Sequence, residues 1–118
     1  MTKLSTLVND INATQTIEEN VYKLGEYLKK NYESRGYNST INVTINKGRK
    51  YFKIIVDNSV NCFVDIKLGH VFKPSSWNKP APIVRYNLLV NAQDCFDKCD
   101  WAGGYLYLRS YQLSTDYT

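Results

Sequence analysis

Between Phe72 and Asn87 the chain gathers side chains suited to holding a planar anion. Lys73, Lys79 and Arg85 supply cations, Phe72 and Trp77 supply flat faces, and Asn78 and Asn87 supply amides that both donate and accept hydrogen bonds. An arginine clasps a phosphate through two parallel bonds, a lysine adds charge, and an aromatic face stacks a base for about 1 to 3 kcal/mol. Further along, Tyr105, Tyr107 and Arg109 alternate. In a strand they would share one face and bring a second arginine beside the loop. The same loop also fits a plainer part, in which its prolines stiffen it, Trp77 plugs the end of the core and its charges face water. Composition on its own favours that plainer part.

Catalytic groups are scarce. The chain lacks G-x-x-x-x-G-K, G-x-G-x-x-G and G-x-S-x-G, so phosphate-loop, dinucleotide and serine-nucleophile chemistry have no support. His70 is the single histidine, placed where a turn leads into a strand, and a rim hydrogen bond suits it better than general-base work. Cys62 falls on an apolar strand face and reads as inert packing. Asp94 and Asp97 read as exposed or capping carboxylates. Cys95 and Cys99 are four apart, but a zinc site takes about four nitrogen or sulfur ligands, and one histidine with three thiols in a reducing compartment does not suggest one. The reading is a binding protein with no catalytic residue, no metal and no cofactor.

The elements that must position these groups follow from period. At 118 residues the chain is one domain, 1–118, with 1–15 a loosely ordered N-terminal arm. A helix opens at Thr16, where Glu19 three residues on completes a capping box. Ile17, Val21, Leu24 and Leu28 lay an apolar stripe along it, and Gly36 ends it. Gly25 inside the helix marks either a close approach or a tolerated weak point. From Thr40 the period becomes two. Ile41 to Ile45, Tyr51 to Asp57, Val60 to Lys67 and His70 to Lys73 read as successive strands joined by Asn46-Lys47-Gly48, Asn58-Ser59 and Leu68-Gly69 turns. Pro74 to Pro82 cannot sit inside that sheet. A short element at Ile83 to Val90, a helical turn at Ala92 to Lys98 and a last strand near Tyr105 to Tyr111 follow. The predicted fold class is α+β, one long N-terminal helix packed on an antiparallel β-meander.

Charge and hydropathy bound the partners. A net charge of +4 and a pI near 8.9 lean towards anions without amounting to a nucleic-acid patch. No apolar run reaches the roughly 18 residues of a membrane span, and the opening MTKLSTLVND has no signal-peptide core, so a cytoplasmic location is expected.

The run CFVDIKLGHVFKPSSWNKPAPIVRYN from Cys62 to Asn87, followed by WAGGYLYLR from Trp101 to Arg109, resembles the first described Thoeris anti-defence family. Its members are phage-encoded sponges for cyclic ADP-ribose isomers. The resemblance spans roughly residues 16 to 111. It implies a protein that binds the glycocyclic ADP-ribose signal of bacterial TIR-domain proteins without cutting it, and so deprives the effector of its activator. It further implies a homo-dimer or higher homo-oligomer, and in some members a separate site for cyclic oligonucleotides. Carried over by motif, Phe72 or Trp77 would face adenine, Arg85 and Arg109 the diphosphate, and Asn78 and Asn87 the base or ribose, with Lys73 and Lys79 assisting; Tyr105 joins the candidate ligand residues on its place beside Arg109. The alternatives are a nucleic-acid-binding phage accessory protein, a small nucleotide-acting enzyme using His70, and a structural protein whose tyrosines form an interface.

Overall fold

Ile17, Val21, Leu24 and Leu28 recur at helical spacing, and all four are fully buried, with Tyr32 extending the stripe by one more turn. They lie on α1 (Thr2–Glu33) in a computed structural model that describes residues 2–107, with side chains from Asp10 onward. The predicted start at Thr16 is corrected, because the helix runs straight through it from Thr2. No proline or glycine interrupts residues 2–15. The Thr14 hydroxyl donates back to the Ile11 and Asp10 carbonyls, as a threonine inside a helix does. The helix ends as its sequence requires, with Gly36 at a φ of 75° and its N–H donating to the Glu33 carbonyl.

The stripe packs on a sheet made by β1 (Val43–Lys47), β2 (Tyr51–Val56), β3 (Ser59–Asp65) and β4 (His70–Phe72), an antiparallel meander as predicted. Two elements then stand apart from it. β5 (Pro74–Ser76) and β6 (Lys79–Pro80) form a separate two-stranded hairpin, so the proline-rich segment is excluded from the main sheet but builds a small ladder of its own. β7 (Tyr86–Asn87) returns to pair with β4, giving the order β1-β2-β3-β4-β7. The described residues close with α2 (Ala92–Lys98) and a 3-10 turn at Gly104–Tyr107. The result is the α+β arrangement read from the sequence.

Register assigns the two faces of the sheet. Phe52, Ile54, Cys62, Val64, Val71 and Tyr86 point at α1 and form the core with its stripe. Gly25 lets α1 close on β1: a Cβ there would stand 3.1 Å from Ile45 Cδ1 and 3.3 Å from Val43 Cγ1. Gly69, at a φ of 74°, turns β3 towards β4 where a Cβ would meet the Leu89 amide nitrogen at 2.9 Å and Ile17 Cγ1 at 3.2 Å.

The predicted last strand is replaced, over its described part, by the 3-10 turn. The cause is Asp100. Its carboxylate accepts from the amides of Ala102, Gly104 and Tyr105, which winds the chain tightly at Gly103, φ 86°. Tyr105 then drops into the core, donating its hydroxyl to Asn61 Oδ1 at 2.7 Å while its carbonyl accepts from the Tyr86 hydroxyl at 3.0 Å. Asn61 completes the buried network by donating to the Asp100 and Trp101 carbonyls.

Candidate functional site

The face of the sheet turned away from α1 carries a row of side chains set by strand pairing. Asn46 on β1 opposes Lys53 on β2, Lys53 opposes Phe63 on β3, and Phe63 opposes Phe72 on β4. Arg85 immediately precedes Tyr86, at the start of β7 beside β4, and its side chain is buried. Its amide donates to the Val71 carbonyl at 2.7 Å, which keeps the ladder running to that point. The row thus runs from Lys53 through two phenylalanines. Tyr51 meets Phe63 and Phe72 edge-on, each at 6.0 Å between centroids, and His70 meets Phe72 the same way at 6.3 Å.

The β5–β6 hairpin folds over this row. Its tip, Trp77-Asn78, is clasped by Lys53, whose Nζ lies 4.7 Å from the Trp77 ring centroid and donates to Asn78 Oδ1 at 3.0 Å. Phe63 is thereby buried, while Trp77 keeps 49% of its surface exposed.

Beside the clasp lies a groove of about 260 Å³ bounded by the β1–β2 turn. Lys47, Arg49, Lys50 and Lys53 line it with Tyr51 and Asn78, and no carboxylate does. Lys47 is bonded to Glu18 at 3.0 Å, but Arg49, Lys50 and Lys53 have no ion pair among the described residues. Sequence reasoning treated this segment as a hairpin turn only. The signal was three cations in the four residues Lys47 to Lys50.

The predicted site residues divide. Phe72, Trp77 and Asn78 are brought to the outer face, while Arg85 is buried just before β7. Lys73 turns away to Tyr107, its Nζ 4.2 Å above that ring, and Lys79 is exposed with its carbonyl accepting from Ser75 Oγ. Asn87 caps the following turn, its Oδ1 accepting from the amides of Leu89 and Val90. Tyr105 is wholly buried while Tyr107 is exposed, so the idea that they share a face is corrected. The 3-10 turn breaks the period of two. Arg109 lies outside the described residues.

Arg85 has an unusual environment. It is 5% exposed, and among the described residues its Nε has no hydrogen-bond partner and no carboxylate pairs with it. A buried charge is costly unless paired, so the position suits an anion arriving from outside the chain.

The thiols are built differently. Cys62, Cys95 and Cys99 are all buried thiols, and none is in a disulfide. Burial pushes the Cys62 thiol up to about 12 and the Cys99 thiol up to about 11, away from the thiolate form that nucleophilic or metal chemistry needs. Among the described residues no three metal-ligating side chains come together, and no helix is long and apolar enough to cross a membrane.

Comparison with known proteins finds no curated protein and no solved structure that matches. A family model does match, over residues 4–108, and on that extent the chain belongs to DUF7717, a family of unknown function.

Proposed function

We propose that the protein is a non-catalytic binder that takes an anionic nucleotide on the outer face of its sheet and holds it unchanged. The observation that carries this reading is the row Lys53, Phe63 and Phe72, flanked by the acid-free groove of the Lys47 to Lys50 turn. Arg49, Lys50 and Lys53 would take phosphate oxygens, and the half-exposed Trp77 and Phe72 would take a base. Arg85 would receive a countercharge that no described residue supplies. Sequestration needs only ground-state affinity, which stacking and charge-assisted hydrogen bonds supply without a nucleophile or general base.

The resemblance narrows the ligand to a cyclic ADP-ribose isomer, the signal of the Thoeris system, held in the cytoplasm of a phage-infected host. The groove's roughly 260 Å³ is below the range of about 300 to 1,000 Å³ that encloses a whole small molecule. One chain thus offers part of a site, in keeping with a homo-oligomer. Cyclic oligonucleotides carry the same groups and are further candidates. The test is to mix the protein with the signal, assay the solution for depletion, then heat the complex and assay the released molecule. Depletion with recovery of intact signal supports sequestration; a degraded product, or none depleted, overturns it.

A second reading, single-stranded nucleic acid, draws on the openness of the same groove, since a strand needs a track and not an enclosure. Binding to RNA or single-stranded DNA that weakens steeply between about 50 and 200 mM salt would favour it.

A further inference from the structure

Among the described residues no strand pairs with the outer edge of β1, which leaves half of its backbone groups unpaired there. Asp57 N–H donates to the Asn42 carbonyl and Gly48 N–H to the Tyr51 carbonyl. Those two bonds set the antiparallel alternation, so Asn42, Thr44, Asn46 and Gly48 bond to β2. Val43, Ile45 and Lys47 therefore direct their N–H and C=O groups outward. Such an edge is a template for another strand.

What stands above the edge identifies the strand's owner. Between α1 and β1 runs a groove of about 650 Å³, flanked on the helix by Glu19, Lys23, Glu26 and Lys29. All four are exposed, and none forms an ion pair among the described residues. Their order is acid, base, acid, base. An antiparallel copy of the same helix presents base, acid, base, acid, so Glu19 meets Lys29 and Lys23 meets Glu26, each pair occurring twice. The midpoints of these pairs fall at Leu24 and between Leu24 and Gly25. Gly25 is the residue that sits on Ile45 and Val43, over the middle of β1. A single two-fold axis through that point satisfies the strand edge and the helix charges together, which is the requirement of an isologous interface. Tyr22, 52% exposed on the same groove, supplies an aromatic anchor.

We propose that a second copy of this chain pairs antiparallel along β1, with the two α1 helices side by side, joining two five-stranded sheets into one. The helices of both copies then lie on one side of the joined sheet and both outer faces on the other, so the candidate ligand groups stay uncovered. The inference does not rest on the ligand reading.

The test is sedimentation equilibrium of the full chain and two charge variants, Lys23→Glu and Glu26→Lys. The wild type is expected at twice 13.7 kDa. Each single variant sets like charges against each other at both symmetric pairs and weakens self-association by about tenfold or more. A 1:1 mixture of the two variants restores every pair and returns the dimer as a heterodimer. The double variant Lys23→Glu/Glu26→Lys also dimerises. Circular dichroism matching wild type shows that each variant is folded. A monomeric wild type up to about 1 mM, single variants as tightly associated as wild type, or a mixture no tighter than its components overturns the proposal.

Discussion

Lys53 on β2 and Trp77 at the hairpin tip are held together, Nζ 4.7 Å from the ring centroid, although 24 positions separate them in the chain. The contact fastens the hairpin over Phe63. Lys53→Met keeps the bulk of the side chain and removes the charge. It is expected to cost about 1 kcal/mol of stability or less, to shift Trp77 emission, and to weaken nucleotide binding about tenfold or more. Titration calorimetry with the cyclic signal checks it, and unchanged affinity would count against the outer face as the site.

The turn cations make a separate prediction. Arg49 and Lys50 are exposed and form no ion pair among the described residues, so replacing both with alanine should leave the melting temperature within a few degrees of wild type. Ligand affinity should fall about tenfold or more, with a shallower salt dependence. An intact affinity would move the phosphate site elsewhere.

Gly69→Ala tests a fold contact. A side chain at a φ of 74° is strained, and its Cβ would collide with the Leu89 amide. Urea unfolding should show a loss of about 2 kcal/mol or more.

Asp100 accepts from the backbone amides of Ala102, Gly104 and Tyr105. Asp100→Ala strands those donors and should destabilise by about 1 to 3 kcal/mol. The environment of Tyr105 in near-ultraviolet dichroism should change with it.

The buried thiols predict an alkaline limit. Cys62 is raised by burial from 9.0 to about 12 and Cys99, mainly by burial, to about 11, so above pH 9 the unfolded chain loses protons that the folded chain keeps. Stability is therefore complete below pH 9 and declines as pH rises towards 11 to 12. The slope is about 1.4 kcal/mol per unit for each such thiol. Tyr105, also pushed up by burial, adds to the same decline. Denaturant midpoints measured from pH 8 to 11 check this, and a flat profile would contradict the burial of these groups.

Much of the fold was legible because period maps directly onto faces. The spacing of Ile17, Val21, Leu24 and Leu28 marked a core stripe, and Val60 to Lys67 marked a strand with Cys62 and Val64 turned inward, as found. The start of α1 was misread because Thr16 and Glu19 carry capping chemistry that a continuing helix leaves unused. Tyr105 was misread because alternation says nothing of Asp100, whose carboxylate gathers three amides and ends the extended chain.

The sequence by itself determined the helix stripe, the meander and the glycine turns at Gly36 and Gly69, since each depends on neighbours a few residues apart. It also placed Phe72, Trp77 and Arg85 in one segment. Only the tertiary structure decided that Lys53 clasps Trp77, that Phe63 lies between Lys53 and Phe72, and that Arg85 is buried with no countercharge among the described residues. Strand register and hairpin folding bring together residues far apart in the chain, and no local period encodes those pairings.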